Sequence, residues 1–242
     1  MRTALISDIH GNLQALQAVL SDVDRQKVDE VHSLGDVVGY GADPLGCLEL
    51  VAEHCRVKLM GNHEYAALGL QSTECYNEAA RQSSNWTVTQ LDDKARAMIA
   101  DFAMEANPDD MYLVHASPFQ PDKWHYVLDR RSAQAALGAM PGRLGFCGHT
   151  HIPSLICDNP SGPPRSRASH DFLPDPERRY LINVGSVGQP RDNDSRACYV
   201  IYDHDSVSIA FHRVEYDIAA AREKMVSVGL PRVLSERLSA GV

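Results

Sequence analysis

Short apolar runs recur along the chain, and five of them stop abruptly in polar residues, most of them beside a glycine. Ala4–Ile6 leads into Ser7-Asp8-Ile9-His10-Gly11-Asn12, and the pattern predicts a buried strand followed by a tight turn. Leu13, Leu16, Val19, Leu20 and Val23 then recur at helical spacing. Val28–Leu34 is a second strand, ending in Gly35-Asp36, with His32 as a structural histidine inside it. Residues 37–42 form a glycine-containing turn. A helix follows, with Asp43 as N-cap, Pro44 at the first helical position, and Leu45, Leu48, Val51 and Ala52 facing inward. Arg56–Met60 is a third strand and ends in Gly61-Asn62-His63-Glu64. The pattern from Tyr65 to Ala106 is helical and amphipathic, and Pro108 closes it. Met111–Val114 is a fourth strand, ending in His115. A helix is expected around Ala133–Met140. Arg143–Cys147 is a fifth strand and runs into Gly148-His149-Thr150-His151.

The C-terminal third is more irregular. Ser154–Cys157 is short and β-like. Residues 158–179 hold five prolines and four arginines among few apolar residues. That composition predicts a long exposed loop of disordered character, with a lid over substrate as the alternative. Tyr180–Val184 returns to strand, Ala197–Asp203 and Val207–Val214 form a hairpin, and Ile218–Leu238 is helical with a break near Gly229-Leu230-Pro231. No internal repeat is visible. The expected organisation is one domain over 1–242, with a helical insert at 66–106 and the exposed loop at 158–179.

Composition narrows the classes. The chain has 242 residues and is 44% hydrophobic, enough for a sizeable core. A formal net charge of -9 disfavours a dedicated nucleic-acid binder, which would need a basic face. The six cysteines, at 47, 55, 75, 147, 157 and 198, form no C-x-x-C pair, so free thiols are expected. The opening strand leaves no room for a signal peptide, and no apolar run approaches the roughly 20 residues of a membrane span. Together these read as a cytoplasmic protein.

The strand ends share one chemistry: Asp8 and His10, Asp36, Asn62 and His63, His115, and His149 and His151. In α/β sheets, functional residues collect at the carboxyl ends of strands. Imidazole and carboxylate suit divalent transition ions (Mn, Fe, Zn, Co or Ni), and no cysteine among them points to a structural zinc. Two ions about 3.5–4 Å apart require a bridging anion, which a carboxylate supplies. Two carboxylates, five histidines and an asparagine provide that set with one histidine left over as a general acid.

Asp8-Ile9-His10, Gly35-Asp36, Gly61-Asn62-His63-Glu64, His115 and Gly148-His149-Thr150-His151, in that order, resemble the motifs of the calcineurin-like metallophosphoesterase superfamily. The Asn183–Arg191 block resembles its small bacterial and archaeal YfcE-like phosphodiesterase branch. Two departures bear on loop shape: Ala116 stands where glycine often follows the histidine, and Val184 where proline is frequent. The resemblance implies an α/β fold, a four-layer α/β/β/α sandwich of two mixed sheets faced by helices. It implies that Asp8, His10 and His151 hold one ion, that Asn62, His115 and His149 hold the other, and that Asp36 bridges them. A metal-bridging hydroxide would then attack a phosphoester, with His63 as general acid oriented by Glu64 or Asp36. Asn12, Asn62 and Arg191 are the candidates for substrate contact. The expected substrate is a small phosphomonoester or phosphodiester, a nucleotide among the candidates. The rival reading is a catalytically inactive metal-binding scaffold for a protein partner. Neither metal identity nor oligomeric state follows from the sequence.

Overall fold

The computed structural model describes residues 1–74 and 76–242. Cys75, expected to be a free thiol, lies outside the described residues. The first half of the chain runs β1 (Arg2–Ile6), α1 (Leu13–Arg25), β2 (Glu30–Ser33), α2 (Pro44–His54), β3 (Cys55–Lys58), α3 (Asn62–Ala67), α4 (Glu78–Gln90) and α5 (Asp93–Ala100). The second half runs β4 (Glu105–Ala106), β5 (Met111–Val114), α6 (Arg130–Ala139), β6 (Leu144–Cys147), β7 (Ser154–Cys157), β8 (Arg165–Ala168), β9 (Tyr180–Asn183), β10 (Ala197–Asp203), β11 (Ser208–Val214), α7 (Ile218–Ser227) and α8 (Arg232–Ala240). Two mixed sheets result, ordered β11-β10-β1-β2-β3 and β4-β5-β6-β9-β7-β8. β1, β2 and β3 are mutually parallel in one, and β5, β6 and β9 in the other.

Side-chain alternation makes the layers. On β1, Leu5 joins a buried cluster with Leu113, Phe146, Ile182 and Val200, which fills the space between the sheets. Its neighbours Ala4 and Ile6 point the other way, onto Leu16, Val19 and Leu48 of α1 and α2. On the second sheet Tyr112, Val114 and Leu181 pack outward against Ala133, Ala136 and Leu137 of α6. The period of two in a strand thus builds an interior on each side of both sheets. This is the expected arrangement of two mixed sheets faced by helices.

Three local expectations change. The inner face of α2 is Pro44, Cys47, Leu48 and Val51, whereas Leu45 and Ala52 face solvent. Asp43 is the N-cap residue, but its carboxylate receives Lys224 Nζ at 2.8 Å instead of a helix N–H. The stretch from Tyr65 to Ala106 is three helices and a short strand. Asn77 and Asp92 each cap a new helix by accepting from Ala80 and Ala95 N–H. The buried side of α4 includes Ser83, Ser84 and Thr87, which apolar periodicity does not count.

The 158–179 loop is also more ordered than its composition suggests. β8, wholly exposed, pairs antiparallel with β7 from Cys157↔Arg165 to Ser154↔Ala168 and forms the sheet edge. Phe172 exchanges backbone hydrogen bonds with Ile209 of the other sheet, both at 3.0 Å, and Arg178 holds Asp158. Backbone pairing needs no apolar alternation, so the sequence Arg165-Ser166-Arg167-Ala168 gave no strand signal. The C-terminal helices do separate near Gly229-Leu230-Pro231, as expected. Among the described residues no helix is long and apolar enough to cross a membrane, and Cys47, Cys55, Cys147, Cys157 and Cys198 are free.

Candidate metal centre

Five strand ends meet where the two sheets present their carboxyl edges. Asp8 follows β1, Asp36 follows β2, Asn62 opens α3 after β3, His115 follows β5, and His149 and His151 follow β6. Five of these residues hold left-handed backbone: Asp8 (φ 53°), His10 (51°), Asp36 (51°), His149 (66°) and His151 (60°). Such a φ costs a non-glycine residue about 1–2 kcal/mol, and it persists only where surrounding bonds enforce it. Here Asp8 N–H donates to Gly35 O at 3.0 Å, and His10 N–H to Asp36 O at 2.9 Å. Gly188 N–H and Ser186 Oγ both donate to Asp8 O, at 2.9 and 2.8 Å. The Asn183–Arg191 block is therefore a brace for the Asp8 turn.

Glu64 has a similar task. Fully buried, it accepts from the Asp36 and Gly61 N–H groups at 2.8 Å and from Val38 N–H at 3.0 Å. It shapes the Asp36 turn through the backbone and makes no hydrogen bond to the His63 ring. Its expected role as an orienter of that ring is corrected accordingly. Asp36 is the residue in contact: its Oδ1 accepts the His63 backbone N–H at 2.9 Å. Gly61 is required here, since a Cβ at that position would collide with Asp36 Oδ1.

The ligand-type atoms fall into groups within 4.8 Å of one another. One is Asp8, His10 and His151, a second is Asp36, His115 and His149, and Asp36 also groups with His10 and His63. All are buried. His10 Nδ1 bonds Val38 O at 3.2 Å, His151 Nδ1 bonds Gln189 O at 2.6 Å, and His115 Nδ1 bonds Leu34 O at 2.8 Å. A carbonyl only accepts, so each Nδ1 carries its proton, and in His10 and His151, which burial keeps neutral, Nε2 is left as a lone pair. The Nε2 atoms of His10 and His151 face each other at 3.0 Å. Two acceptors in that position call for a cation beside them. Asp8 Oδ1, Asn62 Oδ1, His115 Nε2 and His149 Nε2 are likewise buried with no hydrogen-bond partner among the described residues. Buried polar atoms are otherwise nearly always satisfied, so this group fits a bound metal.

A family model describing the calcineurin-like phosphoesterase superfamily domain matches residues 1–206. The chain belongs to that superfamily. An uncharacterized protein of Methanocaldococcus jannaschii is 37% identical over 98% of this chain and 97% of its own. A metallophosphoesterase from Sphaerobacter thermophilus superposes with a TM-score of 0.88 at 41% identity, covering 100% of this chain and 99% of that one. A hypothetical protein from Pyrococcus horikoshii OT3 shares the fold at a TM-score of 0.79 and 17% identity, covering 100% and 98%. YfcE from E. coli is among the more distant structural neighbours. The superfamily binds divalent metals, and this member carries clustered aspartate and histidine side chains suited to them.

Electrostatics in this superfamily member follow from burial. Desolvation pushes the Asp8 carboxyl up from its ordinary value. It lowers His10, His149 and His151, so these imidazoles stay neutral and keep a lone pair. Burial pushes Asp36 up as well, but the His115 and His63 imidazoles outweigh it and hold that carboxyl well below the carboxylate range. Burial lowers His115, yet Asp36 Oδ2 at 3.3 Å wins and raises it to about 9. In the metal-free chain a proton on His115 thus takes the place of a cation.

The remaining candidates separate. His63 sits between Tyr40 (ring centroids 4.6 Å apart) and His10 (4.8 Å), buried. Arg191 lies at the rim, its guanidinium carbon 5.8 Å from the Tyr40 ring centroid and its Nη2 donating to Gln189 Oε1. Asn12 is committed to the fold instead. It is the N-cap of α1, with Oδ1 accepting from Ala15 N–H at 3.1 Å and Nδ2 donating to Gly188 O at 2.8 Å. One N–H and one lone pair of its amide are thus used by the fold. The sequence also passed over Tyr40, Tyr76, Trp124 and Tyr126, which with Asn62, His63 and His149 line a cleft of about 400 Å³. Tyr126 stacks on His149 at 4.2 Å. The only available hint was that Tyr40 stands between two glycines and that Trp124, His125 and Tyr126 adjoin.

Proposed function

We propose that the chain is a metal-dependent phosphoesterase that holds two divalent ions and hydrolyses a small phosphoester. The observation that carries this reading is the set of buried ligand-type atoms facing one another from five strand ends, those of Asp8, Asn62, His115 and His149 without a hydrogen-bond partner among the described residues. Asp8, His10 and His151 would hold one ion, and Asn62, His115 and His149 the other. Asp36, which groups with residues of both sets, would face both. When bound, the ions would supply Lewis-acid stabilisation of phosphoryl oxygens and an activated water.

The chain's own residues would do the rest. Arg191 would contact the phosphate from the rim. His63 would pass a proton to the leaving oxygen, as a group beside the cluster and outside the ligand sets. Burial lowers His63, with the Asp36 charge opposing it. An anionic phosphate alongside would favour the charged imidazole further, so substrate would bring its own acid into the right state. Asp36 would position that ring through the His63 backbone N–H. The shared core between the sheets supports reading 1–242 as one domain. Free buried thiols support a reducing, cytoplasmic setting.

The test is hydrolysis of p-nitrophenyl phosphate and bis-p-nitrophenyl phosphate by metal-stripped protein reloaded with Mn, Fe, Zn, Co or Ni. Turnover with at least one metal, lost on chelation, is expected, and the ratio of the two substrates assigns monoester or diester preference. A fully loaded protein inert on both, and on a wider phosphoester panel, would favour the scaffold reading.

A further inference from the structure

A chain of side-chain hydrogen bonds runs from the Trp124 indole to Asn62, and its polarity is fixed end to end. Asn62 is an ambiguous ligand by itself. Its amide has an acceptor end and a donor end of nearly the same shape, and only the oxygen can meet a cation. A flip through 180° would aim two N–H groups at the cluster.

The neighbours remove the ambiguity. Trp124 Nε1–H can only donate, and it donates to Gln71 Oε1 at 3.0 Å. Gln71 must therefore turn its Nε2 the other way. That nitrogen donates to Tyr76 Oη at 2.9 Å and to the Asn62 backbone O at 3.0 Å. Tyr76 spends its own proton on the same Asn62 carbonyl, at 3.3 Å. The phenol oxygen is then only an acceptor toward the Asn62 side chain. Asn62 Nδ2 accordingly donates to it, at 2.9 Å. The amide oxygen is left pointing inward, buried and without a partner. A donor-only indole thus dictates, through two intermediate groups, which end of a third residue faces the cluster.

We infer that Trp124, Gln71 and Tyr76 are positioning residues that lock the Asn62 amide with its oxygen toward the metal site. The inference rests on the two-ion reading above. The three residues come from the loop after β5 and from the segment between α3 and α4, so neither the sheets nor the strand-end turns would hold Asn62 in this orientation without them.

The test uses the full chain, with Mn²⁺ titrated into metal-free protein and bound metal counted per chain. Wild type should bind two ions. Tyr76→Phe removes the acceptor and keeps the ring, and Trp124→Phe removes the donor at the far end. Each should weaken one of the two binding events by on the order of 10-fold and leave the other unchanged, since partners of a ligand typically contribute that much. The melting temperature of the metal-free protein reports whether each variant has kept its fold, and at least one conservative change, Trp124→Phe, lies three residues from Asn62 along the chain of bonds. Folded variants that bind both ions as tightly as wild type would overturn the inference alone. Wild type that binds fewer than two ions would overturn the two-ion reading and the inference with it.

Discussion

The two halves of the candidate metal centre are held in different ways. Around Asp8, His10 and His151 the backbone does the holding. Carbonyls of Val38 and Gln189 fix the two imidazoles, and the His149 N–H fixes Asp8 Oδ2 at 2.9 Å. In the other half Leu34 O still fixes His115, but around Asn62 and His149 side chains take over, with Tyr76, Gln71, Trp124 and Tyr126 as the neighbours. A backbone-held site changes little when surrounding side chains change. A side-chain-held site can be retuned by substitution, and it borders the open cleft where substrates would differ. The first half suits a constant chemical task and the second a variable one.

Asp36 is common to both halves, so its removal should have the largest effect. Asp36→Asn should lower turnover by roughly 1000-fold and reduce binding of both ions, as read by steady-state kinetics and metal content. Loss of only one ion would place Asp36 in one half and break the symmetry of the comparison. Next comes His63, which lies beside both. His63→Ala should lower kcat by roughly 100-fold with metal content unchanged, most severely for poor leaving groups. If that variant loses metal too, His63 belongs to a half.

Stability responds more modestly. On the two-ion reading proposed above, chelation would strip the cations beside buried Asp8 and Asp36. At a metal concentration about 100 times the dissociation constant, binding contributes about 2.7 kcal/mol, so melting should fall by roughly 5–10 °C on chelation. The pH dependence should then differ between the two forms. His115 is raised to about 9 in the metal-free chain, so its contribution is complete below the ordinary value of 6.5 and is lost as pH rises toward 9. Metal-free protein should therefore melt at lower temperature at pH 9 than at pH 6.5 through this group. A chain loaded at the start should not show that loss, and melting curves across this window distinguish them. The smallest effect is expected at Asn12. Asn12→Ala removes a helix cap worth about 1 kcal/mol, so melting should fall by about 2–4 °C while KM stays within about twofold. A large rise in KM would return Asn12 to the substrate.

Much of this was readable from residues in order. The five strand ends were visible because an apolar run that stops in Asp, Asn or His next to glycine is a local pattern. Alternating strand and helix periods were visible as well, while the sandwich of two mixed sheets came from the family resemblance. Less visible were features whose cause lies elsewhere in space. β8 exists because β7 offers it a pairing edge, and α4 packs through serines and a threonine because its neighbours accept them. Asn12 also braces the fold by donating to Gly188, a partner far along the chain that no local pattern announces.

The sequence alone determined which groups could bind metal and which strands would carry them, since residue type and hydrophobic period are local properties. Only the tertiary structure decided how those groups are oriented. Orientation depends on which donor meets which acceptor across distant segments, as when Gln189 sets the proton on His151, Glu64 bends the Asp36 turn, and Trp124 turns Asn62. Hydrogen-bond polarity of that kind passes through space from one side chain to the next, and no window along the chain contains it.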